Sequence, residues 1–515
     1  MGTSIKDDKS VTDDVITNAE PPVFAPDQFN PRYEAKRKEI WAYYSYGVAN
    51  NGLGLFNFAP TAFQNLLYIA AGEDEMLLFA GQMRSIEEIV LLCNGISCAI
   101  NVVLFLAIGS LADFGNWRPF ILMFWTVAAF GISLAWLGVH EASKWEAATG
   151  LYIVGLIIYQ MCLSFWTAAF PGLARNTPEM RETASKYASG EIDRETYDHE
   201  DMMQRNRISN ISFTVQSAVE ILILAVIVGI MFGVHVNDGQ EQNNRGLSIL
   251  IAFAGGIWVL VAIPWFIFEK RRPGQPLPPN TNVFTAGLLQ LWTAGREIVQ
   301  LKQSLLYLFG YFLLSDSLNT TVTVIGTLQN TIVAYNTLTL TYVLLVGIAA
   351  QLAGIYGYWA IQKHFQLSTK TMFTAVMVGI ILLDGWGFVG IFTQKFGFHH
   401  LWEIWAYQAY YGLFVCPWYA YSQTMISEVT PRGREFLFFS LFGCFGKVSA
   451  FIGPIVSSAI IHRTPNNSST PFYFLFSLTI ASAFMLIFFL DLKKSRKEQA
   501  LFLAKQGEKL IHRSL

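Results

Sequence analysis

Four ionisable residues fall inside long apolar stretches of the chain: Glu220, Asp316, Asp384 and Lys447. A charge placed in lipid is costly, about 2.5–3.5 kcal/mol on insertion scales, so such groups face a cavity or a partner. Asp316 has the richest context. Asn319, Thr320, Thr323, Thr327 and Asn330 follow it at helical spacing and share its face. A polar face of that length lines water, a solute or another polar helix. Interhelical hydrogen bonding is the competing account. Similar stripes occur at Tyr46, Asn50, Asn57, Thr61 and Gln64, and at Gln160, Ser164 and Thr167. An aromatic stripe runs through Tyr407, Tyr411, Phe414, Trp418 and Tyr421, interrupted by Pro417. A carboxylate can take a solute's ammonium group, and Asn, Gln and Tyr can serve its carboxylate. Lys447 is the only base within an apolar run. Asp316 is its first expected partner and Glu220 its second, either as a fixed structural pair or as a coupling pair. Glu87, Glu88, Glu403 and Glu428 sit at run ends, where they are expected to reach water.

These residues lie on twelve apolar runs, each long enough as a helix to cross a bilayer. Helices or closed barrels alone satisfy their backbone in lipid, and runs this apolar and this long are helices. The composition agrees: 53% hydrophobic, 14% charged and a mean hydropathy of +0.38. The expected spans begin at Ser45, Ile86, Phe120, Ala147, Ile211, Leu247, Leu305, Leu338, Thr371, Ile404, Phe436 and Phe472. Lys and Arg concentrate in alternate gaps. One set of gaps holds only Arg84, Lys144, Arg245, Lys395 and Arg463, so the positive-inside rule puts both termini in the cytosol. The net charge of -2 carries no nucleic-acid signal, because the charges segregate by membrane side.

The organisation is six plus six. Residues 1–40 form a cytosolic tail, expected to be disordered over its first ~30 positions and without the apolar core of a signal peptide. Residues 41–268 form the first six-helix bundle, with a cytosolic insertion at 173–208. Residues 269–304 are a cytosolic linker, turn-rich at Pro273 to Pro279, with an amphipathic segment from Val283 to Lys302. Residues 305–491 form the second bundle and 492–515 a basic cytosolic tail. The five cysteines all lie in expected spans, against a disulfide framework or a metal site. Asn466 and Asn467 open glycosylation sequons in the loop before the last span. No His pair, Ser-His-Asp grouping or phosphate-binding glycine loop is present, so the chain reads as neither an enzyme nor a nucleotide-driven pump, and needs no cofactor.

Two six-helix halves joined by a cytosolic linker resemble the major facilitator superfamily, whose members hold substrate near the midplane. The stretch from Gly109 through Asp113 to Arg118 resembles that superfamily's G-x-L-A-D-x-x-G-x-R/K gating loop, with its second Gly one residue early. A narrower resemblance rests on Trp41 to Tyr46, Gly150 to Ile153, Ser315-Asp316-Ser317 with Asn319-Thr320-Thr321, and Gly446 to Ser449 with Gly453-Pro454. Together with the insertion after span four, these are similar to the autophagy-related protein 22 family, fungal vacuolar amino-acid effluxers. Vacuolar members carry an acid a few residues after the first Tyr-Ser; here Gly47-Val48-Ala49-Asn50-Asn51 has none.

The resemblance implies an all-α membrane protein with twelve transmembrane helices in two bundles. Spans one, four, seven and ten would line a central cavity. It implies a secondary transporter in the vacuolar membrane, working by alternating access on a small-molecule solute, with protons as a candidate coupling ion. A facilitator of a sugar or peptide is one alternative. A non-transporting receptor or scaffold, using the two cytosolic insertions as partner sites, is another.

Overall fold

The structure is a computed structural model describing residues 28–72, 76–113, 117–236, 238–272, 283–333, 336–431, 435–464 and 467–514. Asn466 and the Pro273–Pro279 turn lie outside the described residues. So do the side chains of Asp113 and Lys447.

The described fold is helical apart from one hairpin. Span two is Ile86–Asp113, three Arg118–Ala135, four Trp145–Thr167, five Arg194–Gly233 and six Gln240–Phe268. Span seven is Lys302–Ile332, eight Thr337–Phe365, nine Thr369–Val389, eleven Glu435–Arg463 and twelve Phe472–Phe484. Nine described helices are long and apolar enough to cross a membrane. A tenth joins them when the pair Trp292–Ile298 and Lys302–Ile332, bent by 115°, counts as one span. The count expected from the sequence was twelve, and the difference lies in spans one and ten. Span one is split into Arg37–Ala49 and Ala59–Ala71, with a π-helical turn at Leu53–Phe58 between them. Span ten is split into Leu401–Tyr410 and Trp418–Glu428 around a π turn at Tyr411–Val415.

Each half has its own apolar core. The first gathers Tyr43, Trp136, Tyr152, Trp166 and Trp265; the second gathers Tyr307, Phe373, Phe398, Phe438 and Phe472. Tyr43 stacks on Trp166 at 4.9 Å and meets Trp265 edge-on at 5.6 Å. The halves join along two long seams, span two against span eleven and span five against span eight.

Two connectors fold into regular elements. The insertion after span four folds into a helix, Pro178–Ala188, packed on the first turns of span five, which starts at Arg194 rather than near Ile211. Thr177 and Asp193 cap the two helices through the N–H groups of Met180 and Thr196. Tyr187 stacks on Tyr197 at 5.1 Å. After span one, Met76–Phe79 and Gln82–Ser85 pair as an antiparallel hairpin that the sequence reading did not foresee. Its two-residue turn, Ala80-Gly81, has positive φ at both positions, the combination that matches strand twist. In the linker, Val283–Ile298 is helical, as its amphipathic pattern suggested, and packs on spans two and eleven with Trp292 exposed.

Candidate functional site

The break in span one is written in three residues, Asn50-Asn51-Gly52. The Asn51 side chain accepts from the Leu53 N–H at 2.9 Å, a local bond that competes with the helix ladder. Gly52 has φ +86°, which residues with a Cβ rarely adopt. A Cβ there would also stand 3.2 Å from the Tyr159 hydroxyl of span four. Tyr159 stacks on Phe56, within the π turn, at 5.2 Å. Asn50 is 2% exposed, and neither its Nδ2 nor its Oδ1 meets a hydrogen-bond partner among the described residues. An uncapped polar side chain at that depth is uncommon.

Glu220 of span five is 3% exposed and lies within electrostatic range of Tyr159 and of Cys416, at the break in span ten. One turn before it, Ser217 accepts from Gln351 Nε2 of span eight at 2.8 Å, and the Gln351 carbonyl accepts from the Cys416 thiol at 3.2 Å. Tyr411 and Tyr419, flanking the same break, share a hydroxyl hydrogen bond of 2.9 Å. Phe213 packs against Tyr419 at 6.2 Å. Spans four and five of one half therefore meet spans eight and ten of the other around Glu220, beside both helix interruptions. Interrupted helices at midplane depth are where transporter folds place solute and ion sites, because irregular backbone is tolerated there only along a cavity or within protein.

The other acids are engaged. Asp316 accepts from the Gly453 N–H of span eleven at 2.8 Å. Asp384 is fully buried and takes hydroxyls from Ser317 at 3.1 Å, Thr321 at 2.7 Å and Thr479, tying span nine to spans seven and twelve. Its place is structural. The pairing of Asp316 with Lys447 rests on a side chain outside the described ones. Residue 447 precedes Gly453, the contact point of Asp316, by about 9 Å of helix axis.

Several run-end acids depart from the expectation that they reach water. Glu88 is 2% exposed and pairs with Arg84 and, across the seam, with His462 at 3.1 Å. Glu403 is buried and receives the N–H groups of Gly397, His399 and His400 and the Trp386 indole. Those N–H groups belong to the loop and N-cap ahead of the helix, and a carboxylate that takes them has no need of solvent.

At the end where span one begins, charges knit the first half together. Arg118 donates to Glu269 at 2.7 Å and reaches the Ala168 carbonyl of span four. Burial pushes the Glu269 carboxyl up, against the pull of Arg118. Arg272 forks onto Glu39 at 2.8 and 2.9 Å, and the Lys270 N–H adds a third bond at 3.0 Å. Arg118 thus pins the start of span three to the end of span six. The Asp113 side chain lies outside the described ones, and Gly109 lies in the helical backbone of span two. At the opposite end the halves touch: Asn330 of span seven donates to the Gln64 carbonyl at 2.7 Å, and Gln64 donates to the Thr327 backbone at 3.2 Å.

The remaining nominated residues separate into two groups. Asn319 is exposed, Asn57 and Gln160 are half-buried, and Thr323 accepts from Asn94 of span two at 3.0 Å. Trp418 stacks on Tyr311 at 5.8 Å, and Tyr421 is fully buried with its hydroxyl on Gln362 at 2.8 Å. Most of the aromatic stripe therefore fills the second core rather than lining the junction. Asn467 donates through Nδ2, the atom a glycan would take, to the Ile391 carbonyl at 3.2 Å.

Two seamed helical halves with interrupted helices at their junction make a fold of the major facilitator type. The sequence pattern of the family described as "Vacuole effluxer Atg22 like" matches residues 35–500, and the chain belongs to that family. Autophagy-related protein 22 of Pyricularia oryzae is 23% identical over 463 residues, which cover 81% of this chain and 65% of that protein. Autophagy-related protein 22 of Kluyveromyces lactis is 27% identical over 271 residues, covering 50% of this chain and 54% of that one. The chain thus matches between half and two thirds of the length of these relatives. Among solved structures, the human organic anion transporter MFSD10 (TETRAN) superimposes with a TM-score of 0.51 at 12% identity. That likeness covers 88% of this chain and 99% of the other, and is one of fold.

Proposed function

We propose that the chain is a secondary transporter that moves small polar solutes, amino acids foremost, from the vacuole to the cytosol by alternating access. The observation that supports this most is the junction itself. Polar and uncapped groups from spans one, four, five, seven, eight and ten face one another between two separately cored halves. The halves are latched at one end by Gln64 and Asn330. The family description and the relatives' names favour a vacuolar effluxer. The driving force is an ion gradient, protons in an acidic lumen, or the solute's own gradient.

Uptake and efflux of labelled amino acids by the purified protein in liposomes, with and without a pH gradient, tests this reading. Asn57→Phe, Gln160→Phe and Thr323→Phe each cut flux at least about tenfold while leaving membrane insertion unchanged, as a 1 Å misplacement in a binding site can. Wild-type flux in all three variants would show that these positions only pack.

The latch makes a separate prediction. Asn330→Ala removes its bond to Gln64 at 2.7 Å and the long one from Thr61 at 3.5 Å; the shorter alone is worth about 0.5–1.5 kcal/mol and so moves the closed-to-open ratio by about two- to tenfold. Asn319→Cys, in a background without the native cysteines, then reacts faster with an impermeant thiol reagent added from the Gln64 end. An unchanged rate would mean that the Gln64–Asn330 contact does not hold that end shut.

A further inference from the structure

Glu220 is left over once the other buried acids of the spans are assigned. Asp316 is held by Gly453, Asp384 by three hydroxyls, Glu88 by Arg84 and His462, and Glu403 by backbone N–H groups. No hydrogen bond or ion pair joins Glu220 to any described residue. An ionised carboxylate held without a partner at such depth is strongly unfavourable, so its charge has to be met by a proton or by a positive group that enters the site.

The surroundings say what kind. Ser217, one turn before Glu220, is linked through Gln351 to the Cys416 thiol, which sits between Tyr411 and Tyr419 at the break in span ten, and Tyr159 lies within electrostatic range of the carboxyl. Aromatic faces attract an alkylammonium, and more strongly when it is desolvated. A second orphan lies at the break in span one. Asn50, two residues before the Gly52 that abuts Tyr159, keeps both ends of its amide unpaired while 2% exposed. Its Nδ2 is a free donor for a carboxylate and its Oδ1 a free acceptor. The groups come from spans one, four and five in the first half and span ten in the second, so any rocking of the halves changes the site.

We propose that Glu220 binds the primary ammonium of the transported solute, with Asn50 serving the solute's other polar pole. The proposal rests on the transport reading and names the solute class that Glu220 selects: a compound with a free, protonated amine. A neutral polyol or a simple organic anion lacks the charge that would compensate Glu220.

The test uses the full chain in liposomes and in detergent. In counterflow without a pH gradient, wild-type protein exchanges a mixture of labelled amino acids and ignores their N-acetyl derivatives. Glu220→Gln lowers the apparent affinity for the amino acids at least tenfold, and Glu220→Asp restores part of it. Equal competition by the N-acetyl derivatives would overturn the proposal. So would a Glu220→Gln protein with unchanged affinity and exchange that has lost only pH-driven accumulation, because Glu220 would then carry a proton and not the solute's amine. If wild-type protein moves no amino acid, the transport reading fails by itself, and the site is read by binding alone. Primary alkylammonium ions then raise the melting temperature of wild-type protein in detergent while alcohols of the same shape do not, and the rise disappears in Glu220→Gln. No shift with any ammonium ion, or a shift that persists in the variant, overturns the site.

Discussion

Gly453→Ala separates spans seven and eleven and is expected to destabilise the second half strongly. A Cβ at 453 would stand 2.0 Å from Thr320 Oγ1, 3.0 Å from Thr320 Cβ and 2.6 Å from Asp316 Oδ1. Thr320 is fully buried and β-branched, so it has little room to turn. Asp316 is held to the Gly453 N–H at 2.8 Å and would lose that bond as the helices part. Overpacking costs about 1–3 kcal/mol, and a lost hydrogen bond to a charged group about 1.5–3 kcal/mol. The expected loss is therefore several kcal/mol, read as a lower melting temperature in detergent and a smaller folded fraction in membranes. Thr320→Ala added to Gly453→Ala vacates the space of the hydroxyl and recovers part of the loss, a coupling that a double-mutant cycle measures. Gly446→Ala, whose Cβ would meet the Tyr311 ring at 3.2 Å, costs less because that contact asks for a shift of only a few tenths of an ångström. A Gly453→Ala protein as stable as wild type would mean that spans seven and eleven do not pack this closely.

Breaking the fork between Glu39 and Arg272 carries the second large effect. Glu39 is 2% exposed, and its two oxygens take both guanidinium nitrogens of Arg272 and the Lys270 N–H. Arg272 also donates to the Tyr33 carbonyl at 3.0 Å. The pair fastens the start of span one to the end of span six, the first and last helices of one half. Removing one member of a buried pair strands the other charge and costs about 3–5 kcal/mol. Glu39→Gln and Arg272→Gln should each lower the melting temperature clearly, and the Glu39→Met/Arg272→Met double variant should lose less than either. Single-variant losses below about 1 kcal/mol would class the fork with exposed ion pairs.

Apolar run length and the placement of Lys and Arg made the helical membrane class and the two halves legible without coordinates, and short motifs carried the family resemblance. Both signals are local and chemical: a helix in lipid must be apolar over about 20 residues, and basic residues mark one side. The interruption of span one was also present, as Asn50-Asn51-Gly52, but its polar residues read as a stripe on a continuous helix. The two readings differ only in backbone angles at three residues. Pro417 marked the break in span ten, yet which ring of the aromatic stripe packs and which lines the junction depends on how spans eight and nine approach it.

The acids show the same division. Sequence could say that Glu220, Asp316 and Asp384 are buried in spans, because burial follows from the length of the surrounding run. It could not say that Asp384 meets three hydroxyls from two other spans, that Asp316 meets a backbone N–H exposed by a glycine, or that Glu220 meets no partner among the described residues. Those outcomes depend on contacts between residues tens to hundreds of positions apart, set by which helix faces oppose one another. The sequence by itself determined that this chain crosses a membrane as paired helical bundles with acids in their interior. Only the tertiary structure decided which acid is satisfied by the protein and which is left for something else, because a hydrogen bond requires atoms within about 3 Å and no pattern along one helix reports its neighbour's position.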